Sequence, residues 1–182
     1  MAAKPCIGID PAFRTDGFCV CVIDTDKTVR FLMFKDGLLS FMSWLLYDSP
    51  EAAYCCVENS NLQNSTFAVT AMLTRIRGAM AAPVVRNMVL QASKISRNVG
   101  ANQAASQYTY DICRLRWGTS AYEVSPREKG AKKTHAQVAL IARSYGHIFG
   151  KEYRAGKQDM RDAYMLALLA EQFSKKPVRK TG

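Results

Sequence analysis

The chain has 182 residues, 48% apolar and 22% charged, proportions of an ordinary globular protein that exclude a disordered or fibrous one. That length favours one domain with a proper core. Twenty-five lysines and arginines against 15 acids leave a net charge of +10, which favours a polyanionic partner, nucleic acid before anionic membrane.

In chain order, PCIGID (5–10) reads as a short apolar strand ending in Asp10, followed by the turn-rich PAFRTDG. FCVCVID (18–24) and TVRFLMF (28–34) continue it as a three-stranded meander. LLSFMSWLLYD (38–48) has helical spacing, with Leu38, Phe41, Met42, Leu45 and Leu46 on one side. AAYCCVENS (52–60) is a further strand, closing on Val57 and Glu58. Residues 64–80 fit a helix broken by Pro83 at the latest. The stretch VVRNMVLQASKISRN is ambiguous between helix and strand. Residues 102–118 read as a helix with Ala101, Ala105, Tyr108, Ile112 and Leu115 in register and Gly118 as its stop. AYEVSP (121–126) is a short strand and REKGAKK a basic loop. Thr134 then opens a helix with Gln137 placed for a capping box and Val138, Ile141, Ala142 and Tyr145 inward. A second basic loop, GKEYRAGK, leads into the last helix, KQDMRDAYMLALLA (157–170). Strands followed by helices in this order predict an α/β fold, a mixed sheet with helices on its faces.

Charge and cysteine usage narrow the function. No acid lies between Glu58 and Asp111, while Arg75, Arg77, Arg86, Lys94 and Arg97 all fall there. The end of the chain, KKPVRKTG, adds four cations. These are candidate contacts to a nucleic-acid backbone, which position the polymer without reading its bases. Six cysteines show no CxxC pair and sit in apolar runs, so they read as small buried residues in a reducing compartment rather than zinc ligands. The first residues lack the pattern of a signal peptide, and no apolar run approaches the ~20 residues of a membrane span. An intracellular, soluble protein is expected.

The acids carry the sharper signal. Asp159 and Asp162 stand at i and i+3, on one face of a helix opening. Taken alone they read as helix-start residues, favoured by the free N–H groups and the dipole of a first turn. But Asp10 and Glu58 each end a strand, and functional side chains collect where such strands end. If those strands are parallel neighbours and the last helix crosses the sheet, four carboxylates converge. Their repulsion requires a positive partner, and Mg²⁺ or Mn²⁺ suits carboxylate oxygens. A pair of such ions hydrolyses phosphodiesters. The basic loop carrying Lys129, Lys132 and Lys133, just before a helix N-terminus, suits a scissile phosphate. Phe67 is a candidate for stacking on unpaired bases. Tyr108, Tyr110 and Trp117 read as core.

IGIDPA near the N-terminus, VENS at a strand end and KQDMRDAYMLAL near the C-terminus together resemble the motifs of RuvC-type Holliday junction resolvases. The resemblance implies a ribonuclease H-like fold over 1–174, a three-stranded antiparallel meander plus parallel strands flanked by helices, with 175–182 as a basic tail. It implies a metal-binding catalytic tetrad of Asp10, Glu58, Asp159 and Asp162, two Mg²⁺ ions replaceable by Mn²⁺, and a lysine at the helix start, Lys133. It further implies a homodimer that nicks four-way DNA junctions symmetrically in the cytoplasm of a bacterial or phage-infected cell. The chain departs from the family in having Ala12 where a Gly is usual and a longer stretch between Glu58 and the last helix. Two other expectations remain open: a ribonuclease H-like nuclease for other branched DNA or RNA, and a non-catalytic junction-binding protein.

Overall fold

A computed structural model describes residues 3–12, 18–59 and 84–175, with 84–100 as backbone only. The alternating segments form strands β1 (Cys6–Asp10), β2 (Phe18–Ile23) and β3 (Thr28–Phe34), paired antiparallel as a meander. Beside β1, β4 (Tyr54–Glu58) runs parallel, and β5 (Ala121–Val124) runs parallel to β4. A two-residue strand, β6 (Ile148–Phe149), pairs parallel with β3 and completes a six-stranded mixed sheet in the order β5-β4-β1-β2-β3-β6. Sequence patterning misses β6, because two residues are too few to show a period.

Helices cover both faces, as the α/β class requires. Helix α1 (Leu38–Tyr47) and helix α2 (Val84–Trp117) cover the face formed by Ile7, Ile9, Val20 and Val57. The ambiguous stretch that begins at Val84 is thus the first half of one 34-residue helix. Its inward face is the expected one only in part: Ala105 is buried and Ile112 packs against the core, but other expected residues face out. Ala105, Thr109, Cys113 and Trp117, at i+4 spacing, are buried, whereas Tyr108 is 62% and Leu115 87% exposed. Small residues win the inward positions because they let α2 approach β4 and β5 closely. The Thr109 hydroxyl is satisfied by donating to the Ala105 carbonyl at 2.7 Å. On α1, likewise, Phe41 and Leu45 are buried while Met42 and Leu46 face out. Tyr110 is half-buried.

The loop expected at 127–133 begins as one helical turn, α3 (Pro126–Lys129), closed by a Ser125–Glu128 capping box and ended by Gly130 at φ 85°. Helix α4 (His135–Tyr145) has the expected Thr134–Gln137 box and a left-handed Gly146 at its end. It buries Val138 and Ala142, with Ile141 half-buried and Tyr145 turned outward. Helix α5 (Gln158–Ser174) lies across β1, β2 and β4 on the opposite face from α1 and α2. Gly8 makes its close approach possible. A Cβ there would lie well inside van der Waals contact of the Ala163 carbonyl oxygen and the Ala167 nitrogen. All six cysteines are free and buried. Among the described residues no helix is long and apolar enough to cross a membrane.

At the sheet edge where β1 and β3 begin, α5 brings Glu171 to Lys27, Lys175 and the buried His147. His147 shares a hydrogen bond between Nδ1 and the Tyr164 hydroxyl at 2.9 Å. Its Nε2 approaches Glu171 to 3.2 Å without the alignment of a hydrogen bond. Burial lowers the imidazole from its ordinary 6.5, and the attraction of Glu171 only partly opposes this. Because the folded value lies below the unfolded one, the stabilising contribution is complete above pH 6.5 and declines as pH falls beneath it. The expected NMR titration of His147 has its midpoint below 6.5; a midpoint above it would mean that the Glu171 charge dominates.

Candidate active site

The β1–β4 ladder runs to Ile9↔Val57, so Asp10 and Glu58 are the next residues on adjacent parallel strands. Both share the face covered by α5, since Cys6, Cys56 and the α5 residues Ala163 and Ala167 belong to one buried cluster and strand side chains alternate. The Gly8 contact fixes the depth of α5 on the sheet and presents its N-terminal turns at the same edge.

Neither carboxylate of Asp-x-x-Asp caps this helix. Lys157 is the N-cap residue, with no side-chain capping bond. Asp159 stands in the first turn and Asp162 one turn further in, 6% exposed, accepting from Gln158 Nε2 at 2.8 Å. Helix punctuation therefore does not account for a buried Asp162, whose desolvation needs charged partners. Those partners lie on other elements.

The positive centre is Lys129, the last residue of α3. Its side chain is only 10% exposed; Nζ pairs with Glu58 Oε2 and stands 3.3 Å from Asp162 Oδ2. Burial alone would lower the lysine's pKa, but Asp10, Glu58 and Asp162 outweigh it and hold the ammonium above its ordinary value. Burial drives the Asp10 carboxyl well above the carboxylate range; Lys129 opposes this, and Glu58, Asp162 and Asp159 add to it. Asp159 is raised for the same first reason, burial, with Lys157, Lys132 and Lys129 pulling it down and Asp162 pushing it up. The four acids thus share one electrostatic environment, with Lys129 inserted among them and Lys132 and Lys157 acting on Asp159 from nearby. A cavity of about 250 Å³ opens beside them, lined by Asp10, Ala12, Glu58 and Asp159 from one side and by Asn102 and Ser106 of α2 from the other.

Other expected residues lie differently. Lys133 meets no acid of the cluster in an ion pair among the described residues; its carbonyl accepts from Arg161 Nε at 3.0 Å. Lys132 acts on Asp159 only as a nearby charge. Arg86, Lys94 and Arg97 lie on α2, where the described structure is backbone only. Phe67, Arg75, Arg77 and residues 176–182 lie outside the described residues, as does the helix expected over 64–80. The sequence pattern gives no warning of Asn59, Asn102 or Ser106. Asn59 is buried, donating to Gln107 at 3.2 Å and Glu123 at 3.0 Å, so it ties the end of β4 to β5 and α2.

Among the described residues no three side chains of His, Cys, Asp or Glu stand ready-made as a metal cage, the Lys129 ammonium lying between two of the acids. The donor set nevertheless fits a hard divalent cation. It consists of carboxylate oxygens alone, has Lys129 as the cation in ion-pair contact with it among the described residues, and opens to a cavity. No protein-family model, curated protein or solved structure matches the chain.

Proposed function

We propose that the protein is a metal-dependent nuclease of ribonuclease H-like architecture, cutting phosphodiesters of branched DNA, with four-way junctions as its preferred substrate. The single observation that carries this reading is the convergence of Asp10, Glu58, Asp159 and Asp162 from two parallel strand ends and one helix onto one buried, partly neutralised edge. Clusters of perturbed ionisable groups at a cavity mouth are where active sites are commonly found.

Asp10, Glu58, Asp159 and Asp162 would hold Mg²⁺ or Mn²⁺. When bound, such ions polarise the phosphate and lower the pKa of water, supplying a nucleophile and stabilising the leaving oxygen. The chain's own residues set the stage for this. Asp10, at the mutual register of two strands, fixes the centre. Lys129 stands between Glu58 and Asp162, and its ammonium is placed to meet a phosphate oxygen as the polymer enters. Asn102 and Ser106 of α2 line the same cavity as the acids. The acid-free span that carries Arg86, Lys94 and Arg97 supplies diffuse attraction for DNA. A homodimer would set two such sites across a two-fold axis, matching a symmetric junction.

The decisive experiment offers the purified chain, with Mg²⁺, labelled four-way, three-way, flap and linear duplexes. Paired nicks in the four-way junction, abolished by a chelator and weakened steeply by salt, are expected. Absence of cleavage on all four substrates would overturn the nuclease reading. One observation favours a second reading: Lys129 already neutralises part of the cluster without any metal. A non-catalytic junction-binding protein would bind the same DNA and cut none of it.

A further inference from the structure

The acid-lined cavity is not the largest opening at this edge. A groove of about 520 Å³ lies beside it, with Phe31, Met33 and Met160 in its lining together with Lys35, Arg154 and Lys157. Strand register fixes its place. Asp10 faces Cys19, and Cys19 faces Met33, so the three side chains form one row on the α5 face of the sheet. Two strand spacings put Met33 roughly 10 Å from Asp10. From the helix side, Met160 follows Asp159 directly, and Lys157 bears on the Asp159 charge. The groove therefore lies on the same face of the sheet as the carboxylates, two strands from Asp10.

Its walls are already set. Phe31 is buried against Tyr153, ring centroids 5.3 Å apart, and Tyr153 stacks on Phe149 at 4.3 Å. The loop bearing Arg154 and Lys157 is pinned at both ends. The Arg154 N–H donates to Met160 Sδ at 3.3 Å, and Arg161 donates to Gln158 Oε1 at 2.6 Å as well as to the Ala155 carbonyl. A preformed groove costs a ligand little ordering. Among the described residues, Lys35, Arg154 and Lys157 make no salt bridge. The lining also carries one acid, Glu152, whose charge bears on Arg30.

A lining of Phe31, Met33, Phe34 and Met160 beside three cations outside any salt bridge among the described residues suits a nucleotide whose base is unstacked and whose flanking phosphates are charged. Paired duplex DNA has no free base face to offer. A strand leaving a branch point has one. We infer that this groove receives a single unpaired nucleotide of the strand whose phosphate lies at Asp10, next to the point of cutting. This deepens the nuclease reading and rests on it: the acids would act on any nucleic acid, and the groove selects strands that can surrender a base.

The test uses the full chain without divalent ions, so that no cleavage enters it. Fluorescence anisotropy compares a labelled octathymidylate with an octamer of abasic sites carrying the same phosphates. Wild-type protein binds the base-bearing strand about 10-fold tighter, the size of a stacking contribution. Met33→Asp reduces that preference below about threefold. The exposed double variant K35E/R154E, shown folded by circular dichroism, weakens binding of both strands at least about 10-fold. Equal affinity of the wild type for the two strands, a preference retained by Met33→Asp, or unchanged binding by the double variant would each overturn the inference. Failure of the nuclease reading would appear separately, as an uncut junction in the presence of Mg²⁺.

Discussion

Asp10→Asn is expected to lower Mg²⁺-dependent junction cleavage by at least ~100-fold, the scale on which removing one electrostatic element of an active site acts. Binding of the junction should be retained, and the metal-free protein should melt no lower than wild type. The three outcomes have one cause. Asp10 lies at the meeting of β1 and β4, where burial and the charges of Glu58, Asp162 and Asp159 all oppose its ionisation and Lys129 favours it. Asn keeps the shape and removes the charge, which relieves the repulsion while replacing one of the carboxylate oxygens that would hold a metal with an amide NH2. Groups kept for chemistry at the expense of stability are common in active sites. Cleavage rates, junction affinity and melting temperature, measured on one preparation, check the prediction together. A variant that cuts at the wild-type rate would remove Asp10 from the site. A variant that melts well below wild type would mean that its carboxylate serves the fold.

How much of this was legible in the sequence depends on what each signal requires. Asp10 and Glu58 could be read because strand-terminal acids stand out against apolar runs, and the parallel pairing of β1 with β4 then places them side by side. Asp159 and Asp162 could be read because a carboxylate before an unbroken apolar helix is costly to bury. Lys129 was legible only as one cation in a basic loop. Its insertion among the acids depends on α3, a single turn whose start is set by Ser125 and Pro126, and a four-residue helix shows no period to detect. Hydrophobicity alone also placed Tyr108 and Leu115 wrongly on the inner face of α2, though it found Ala105 and Ile112. Close packing on β4 and β5 selected Ala105, Thr109 and Cys113 by size, and left Leu115 in solvent. Asn102 and Ser106 reach the cavity through that same choice of face, which is why the sequence pattern did not single them out.

Gly8→Ala is expected to be as damaging as the loss of a catalytic acid, although Gly8 carries no chemistry. Its new methyl would collide with the main chain of α5 at Ala163 and Ala167 and lie 2.8 Å from the carbonyl carbon of Leu166. Backbone inside a packed helix cannot step aside as the tip of a flexible side chain can. Either α5 lifts from β1 or the strand bends. Overpacking of this kind costs about 1–3 kcal/mol in ordinary cores, and the upper end is expected here because the obstacle is main chain on the strand that α5 crosses. The displacement also carries Asp159 and Asp162 away from Asp10 and Glu58, since both ride on the first turns of the same helix. A shift of about 1 Å at a reacting centre is worth on the order of 100-fold in rate. Gly8→Ala should therefore lower the midpoint of urea unfolding and, at temperatures where the variant remains folded, still cleave junctions about 100-fold more slowly. Asp10→Asn should lose activity with its unfolding midpoint intact. If Gly8→Ala proves as stable and active as wild type, α5 does not rest directly on β1, and the route by which Asp162 reaches the strand-end acids would have to be different.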